Sequence, residues 1–205
     1  MKTKRMTWLT KILGLCGLSL FALPASAHIS VMHSVGGFEA GLMHPITGLD
    51  HLLAMIAVGM WAAKNQRSAQ WVLPVVFPLM MAIGAIAGAS GLVVPGVEAG
   101  IAASLLVLGL CIALMARLPV SVSAGLVGVF ALAHGYAHGV ELPSEAAGAW
   151  FGVGFLIATV GLHAVGFFAT RSLQQIATSG RASVVYRGVG AAIAMSGMYF
   201  FSALI

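Results

Sequence analysis

Six long apolar stretches constrain this chain more than any other feature of its sequence. They run over about 44–63, 71–90, 98–116, 120–140, 147–170 and 183–203. Each approaches or exceeds the roughly 20 apolar residues that a helix needs to cross a bilayer core about 30 Å thick. Because the connections are short, we predict an all-α, polytopic membrane protein: one bundle of about six transmembrane helices in which neighbours run antiparallel.

The composition supports a membrane class. Hydrophobic residues make up 60% of the 205 positions and charged residues only 7%, far from the balance of a soluble domain. The formal charge of +5 does not indicate nucleic-acid binding, because four of the ten basic residues lie among the first eleven positions and the rest form no basic patch. The sequence also has no Walker-type phosphate loop, so we do not expect ATP hydrolysis.

The first 27 residues have the pattern of a secretory signal peptide. A basic stretch is followed by an apolar run and by small residues that end at Ala27. Cleavage after Ala27 would make His28 the first residue of a mature single domain, residues 28–205, with its N-terminus in the periplasm. An uncleaved anchor is the alternative.

Basic residues downstream of the signal give the orientation, because translocation leaves Lys and Arg in cytoplasmic connections. With a periplasmic N-terminus, all six fall on the cytoplasmic side: Lys64, Arg67, Arg117, Arg171, Arg181 and Arg187. The outer connections, around 91–97 and 141–146, contain neither Lys nor Arg. We therefore predict a multi-pass protein of the bacterial inner membrane.

Cysteine offers no metal site. Cys16 would depart with the signal peptide, and Cys111 lies inside an apolar stretch. With one cysteine left, neither a disulfide nor a cysteine-rich metal site is available. Any metal must therefore be held by nitrogen and oxygen.

A first group of ionisable residues opens the first apolar stretch. Such residues cost roughly 3 kcal/mol or more each inside a membrane, so they should face a polar interior or a partner. His44, Asp50 and His51 form the pattern His-Pro-x-x-Gly-x-Asp-His. At about 3.6 residues per turn, His44 and His51 would lie two turns apart on nearly one face of a continuous helix. Two imidazoles and a carboxylate would then point into the bundle.

A second group closes the fourth stretch. His134, His138 and Glu141 form the pattern His-Gly-x-x-His-Gly-x-Glu, and their spacings of four and three place them along one stripe of a helix. Neutral imidazole suits nickel, cobalt, zinc and copper, and a carboxylate offsets the charge of a divalent ion. The stripe is therefore a candidate set of metal ligands.

The two groups should meet, because the first stretch enters from the periplasm and the fourth returns to it. His51 and His134 each lie about 7 residues from the outer end, hence roughly 10 Å deep, and would share one ion. The alternative is that the histidines only join helices by hydrogen bonds, worth about 0.6 kcal/mol each in membranes.

Four further residues are weaker candidates. His28, His33 and Glu39 precede the first stretch, where they would capture metal at the surface or belong to a solvated tail. His163, in the fifth stretch, would receive an ion nearer the cytoplasm or serve as a structural hydrogen-bonding group.

The two histidine motifs, the signal, the length and the number of apolar stretches resemble the HupE/UreJ family of hydrogenase and urease accessory permeases, from the signal peptide to the C-terminus. The resemblance implies uptake of Ni²⁺, or Co²⁺ in some members, for metalloenzyme maturation. It implies a transporter rather than an enzyme, with no permanently bound cofactor and with cytoplasmic nickel chaperones as expected partners. By motif match, the pathway residues are His44, Asp50, His51, His134, His138 and Glu141.

Two other functions match parts of the sequence. The segment 88–91, Gly-Ala-Ser-Gly, is similar to the serine motif of rhomboid-type intramembrane proteases, with His163 as the base of Ser90. No Asp or Asn is evident to orient that base, as a triad requires. A haem-carrying subunit would use histidines of facing helices as axial ligands, but the adjacent carboxylates favour a divalent cation.

Glycine and tryptophan positions give packing predictions. Three small-xxx-small pairs should allow close helix approach: Gly84 and Gly88, Gly135 and Gly139, and Gly148 and Gly152. Trp61, Trp71 and Trp150 lie near the ends of apolar stretches, where we expect interfacial anchors.

Overall fold

The structure is a computed structural model that describes residues 37–142 and 145–204, with the backbone only for 145–147. The proposed signal peptide, 1–27, and the candidates His28 and His33 lie outside the described residues. Every regular element within these ranges is a helix, which confirms the all-α prediction. The helices are α1 Gly37–Thr47, α2 Leu49–Lys64, α3 Ala69–Ala89, α4 Val97–Ala113, α5 Val120–Val140, α6 Glu145–Ile176 and α7 Ser179–Ser202.

The helices have the length and composition of a multi-pass membrane protein. Four segments are long and apolar enough to cross a bilayer: Ala69–Ala89, Val120–Val140, Gly148–Ile176 and Ser179–Ser202. The pair α1 and α2 passes the same criteria as one bent element, and α4 is a shorter apolar helix of 17 residues. Large apolar side chains such as Trp71 and Ile86, which are 75% and 72% exposed, provide the outer surface that lipid would cover.

The predicted continuous helix through the first histidine motif is wrong, because the chain breaks at Gly48. α1 and α2 meet there at an angle of 77°. Gly48 has an extended backbone (φ −78°, ψ 111°), and a Cβ atom at this position would lie 2.8 Å from Cδ2 of His51. Because Gly48 has no side chain, the His51 ring can pack against the backbone between α1 and α2. Glu39, expected in a tail before the first helix, lies in the first turn of α1.

Close backbone contacts determine which helices are neighbours. α3 packs mainly on α5, α4 on α7, and both α1 and α2 on α6. A Cβ at Gly135 would lie 1.9 Å from the Met81 carbonyl oxygen, and one at Gly84 would lie 2.3 Å from that of Leu132. The pairs Gly84 and Gly88, and Gly135 and Gly139, therefore allow α3 and α5 to approach closely, as predicted. Gly152 differs, since a Cβ there would meet nothing within 4 Å.

α2 lies at the centre of the packing. Ala54, Met55 and Val58 are fully buried along it, and so is Trp61. The indole nitrogen of Trp61 donates a 2.9 Å hydrogen bond to the carbonyl oxygen of Ala116. Trp61 is therefore not an interfacial anchor. A helix surrounded by other helices has no lipid-facing side, whatever the depth of its residues.

Candidate metal site

Three histidines from three helices converge at the junction of α1 and α2. His44 is in the last turn of α1, His51 is in the first turn of α2, and His138 is in the last turn of α5. The centroids of the His51 and His138 rings lie 4.4 Å apart, and those of His44 and His138 lie 4.7 Å apart. One ligating atom from each of the three lies within 4.8 Å of the others. This geometry brings the two sequence motifs together and could hold a single ion.

His134 extends this group one helical turn further into α5. Its ring centroid lies 5.2 Å from that of His51, and the side chain is fully buried. Nδ1 of His134 lies 3.0 Å from the carbonyl oxygen of Phe130. Because a carbonyl can only accept, Nδ1 must carry the proton, which leaves the lone pair on Nε2.

Several imidazole nitrogens in the group are buried without a hydrogen-bond partner. They are Nδ1 of His51, Nε2 of His134 and Nε2 of His138. A buried polar atom without a partner costs about 1–3 kcal/mol, so native proteins retain few of them. Their concentration in one place is expected where a ligand normally satisfies them. The chemistry of the donors, nitrogen from imidazole, matches a transition metal ion.

Asp50 supplies the negative charge beside the imidazoles. One of its carboxylate oxygens lies 3.8 Å from Nε2 of His51 and accepts a 2.9 Å hydrogen bond from the backbone N–H of His51. The side chain is largely buried. Asp50 thus satisfies a backbone N–H in the first turn of α2 and would offset part of the charge of a divalent ion near His51.

The structure does not bring Glu141 into the three-histidine group. Glu141 is exposed at the C-terminal cap of α5, next to the turn that contains His138. Glu39 and Glu98, in the first turns of α1 and α4, are exposed as well. These three carboxylates lie at helix ends on the same side of the bundle as the histidine group.

Aromatic side chains that the sequence analysis did not identify enclose the group. The Phe155 ring lies 4.4 Å from that of His138 and 6.0 Å from that of His44, and Phe151 lies 5.7 Å from His44. Both are on α6, four residues apart. Their helical spacing was a usable signal, but only the packing of α6 on α1 and α2 shows which surface they cover.

His163 lies beside Phe77, whose ring also contacts His134. The fully buried Phe77 ring is 5.8 Å from His134 and 5.2 Å from His163. Neither ring nitrogen of His163 has a hydrogen-bond partner of regular geometry, although the ring interacts with the backbone of Pro74. Pro78 cannot donate to the Pro74 carbonyl, as a residue four positions along a helix normally would. His163 is therefore a candidate to stabilise the Pro74 carbonyl as well as a candidate metal ligand.

Together these features define a multi-pass helical membrane protein with a buried histidine and carboxylate site near one end of the bundle. The family model described as HupE / UreJ protein matches residues 16–200. The chain is also similar to Protein HupE of Rhizobium leguminosarum bv. viciae, with 41% identity over 180 residues, which covers 88% of this chain and 92% of the relative. The chain belongs to the HupE/UreJ family. No solved structure matches it.

Proposed function

We propose that this protein is a permease for a divalent transition metal ion, with Ni²⁺ as its substrate and Co²⁺ as the second candidate. The observation that carries the proposal is the convergence of His44, His51 and His138, whose ligating atoms lie within 4.8 Å of one another. Imidazoles with one adjacent carboxylate suit these ions better than Mg²⁺ or Ca²⁺, which prefer oxygen ligands. The protein would act as a transporter, not as an enzyme.

The charge distribution favours inward movement. The exposed Glu39, Glu98 and Glu141 occupy helix ends on the side of the histidine group, where they would attract cations. In the bacterial inner membrane, with that side in the periplasm, an inside-negative potential contributes about 2.3 kcal/mol per charge per 100 mV. The ion would exchange its water for the histidines and then move past Phe77 toward His163. Cytoplasmic nickel chaperones would receive it.

The two alternative functions fit the geometry less well. The hydroxyl of Ser90 donates to the carbonyl oxygen of Ala87, and Ser90 is about three and a half helical turns along α3 from Phe77, the ring that His163 contacts. His163 is therefore badly placed to act as the base of Ser90. A porphyrin accepts one imidazole on each face, whereas three imidazoles here converge on one point.

Whole-cell uptake of radioactive nickel at limiting metal tests the proposal. We expect His51→Ala, His138→Ala and Asp50→Ala to abolish uptake at equal membrane abundance. Ser90→Ala is the matched control and should transport normally, whereas loss in this variant would favour a hydrolase. Normal nickel uptake in all histidine variants would refute the nickel proposal, and competition by Co²⁺ would then test the second metal.

A further inference from the structure

A polar cavity lies at the opposite end of the bundle from the histidine group. It has a volume of about 300 Å³. The end of α2, the α2–α3 connection, the first turn of α3, the approach to α5 and the end of α6 line it, with these residues: Ala63, Lys64, Asn65, Gln66, Gln70, Arg117, Arg171 and Gln174. Neither the motifs nor the family assignment accounts for this cavity.

The amide side chains of the chain are concentrated at this cavity. The whole sequence contains one asparagine and four glutamines. All of them except Gln175 line the cavity. Nε2 of Gln174 is buried and has no hydrogen-bond partner. This atom is a donor, so its missing partner should be an acceptor.

Three cations line the same cavity without a carboxylate among its residues. Lys64 lies over the Tyr186 ring at 5.4 Å, and Arg171 lies over the Phe167 ring at 5.7 Å. These aromatic contacts hold the cations without neutralising them. In the described part of the chain, no carboxylate forms an ion pair with Lys64, Arg117 or Arg171.

The preference of cytoplasmic connections for Lys and Arg explains why these residues are on this side. It does not explain why Lys64, Arg117 and Arg171 share one cavity with four amides, while Arg67, Arg181 and Arg187 do not line it. The Asn65 amide nitrogen already donates to the hydroxyl of Ser123, whereas that of Gln174 has no partner. Cations that converge with an unpartnered amide donor recognise an anion, and Arg in particular suits phosphate.

We infer that this cavity binds a phosphate group, from the headgroup of an anionic phospholipid or from free inorganic phosphate. A water molecule occupies about 30 Å³ of liquid, so the cavity would admit a phosphate group with several waters. Basic pockets between helices on the cytoplasmic side are known binding places for anionic lipid headgroups. A bound anion would also offset the cations beside the inner end of the bundle. The inference does not depend on metal transport.

Thermal unfolding of the full-length protein in detergent tests the inference. The probes are phosphatidylglycerol against phosphatidylcholine, and inorganic phosphate against chloride at equal ionic strength. We expect one of the anionic probes to raise the unfolding midpoint of the wild type in a saturable manner. If phosphatidylglycerol alone stabilises the protein, the bound phosphate group belongs to a lipid headgroup. If inorganic phosphate stabilises it as well, the cavity binds the free anion.

The variant Arg117→Gln/Arg171→Gln should need at least about tenfold more of the effective probe, since it loses the charge-assisted hydrogen bonds of two cations that line the cavity. Arg181→Gln/Arg187→Gln is the matched control, because it removes the same charge outside the cavity, and its response should be unchanged. If the first double variant does not fold, Gln174→Leu takes its place in the same measurement, because it removes the unpartnered donor at constant charge. Equal shifts in the two double variants, or no stabilisation of the wild type, would overturn the inference.

Discussion

The rings of His51 on α2 and His138 on α5 lie 4.4 Å apart between centroids, closer than any other pair of histidine rings in the described residues. One comes from each of the two sequence motifs. Because these residues are distant in sequence, their contact depends on the bundle as a whole. It makes the two motifs parts of one site.

We expect the metal contributions of His51 and His138 to be strongly coupled. If both bind one ion, each single Ala substitution should weaken nickel binding at least about tenfold, and the double variant should be little worse than either single one. Calorimetric titration of the purified variants measures the coupling. Additive losses would instead indicate two independent sites.

Gly48→Ala should disturb the site without removing a ligand. A Cβ atom there would lie 2.8 Å from Cδ2 of His51 and 3.2 Å from a carboxylate oxygen of Asp50, so the ring must move. We expect nickel uptake to fall at least about tenfold at unchanged membrane abundance, because small displacements of ligating groups are costly. Gly152→Ala, which meets nothing within 4 Å, is the control. Equal uptake in the two variants would contradict this account of the break.

His163→Ala separates transport from binding. If His163 receives the ion beyond Phe77, uptake should be lost while nickel binding at His44, His51 and His138 is retained. Paired uptake and binding measurements on the same variant give the answer. A fall in the unfolding midpoint, with transport normal at equal abundance, would instead assign His163 to the support of the Pro74 backbone.

Gly135→Ala should destabilise the α3–α5 contact. Its Cβ would lie 1.9 Å from the Met81 carbonyl oxygen, and a backbone atom cannot move aside as a flexible side chain can. We expect a loss of about 3 kcal/mol or more in the free energy of unfolding. Gly125→Ala, on the same helix with no atom within 4 Å, should be neutral. Unfolding midpoints in detergent compare the two, and equal stability would show that the helices separate at little cost.

Much of this architecture could be predicted from the sequence because hydropathy is local. An apolar stretch of sufficient length is a candidate span wherever it occurs, so the approximate positions of α3 to α7 followed directly, whereas the break between α1 and α2 did not. The motif spacing likewise placed His134 and His138 on one face of α5. The burial of Trp61 and the exposure of Glu141 were not predictable in this way, because each depends on whether another helix covers that face.

The sequence by itself determined the helical membrane class, the segregation of cations from carboxylates and the two histidine motifs. The tertiary structure decided that the first motif bends at Gly48, that Phe151 and Phe155 enclose the histidines, and that the amides share a cavity with three cations. The physical reason is that helical periodicity specifies which residues share a face of one helix. Which helix lies against that face is decided by close backbone packing, much of it at glycines, between segments far apart in the chain.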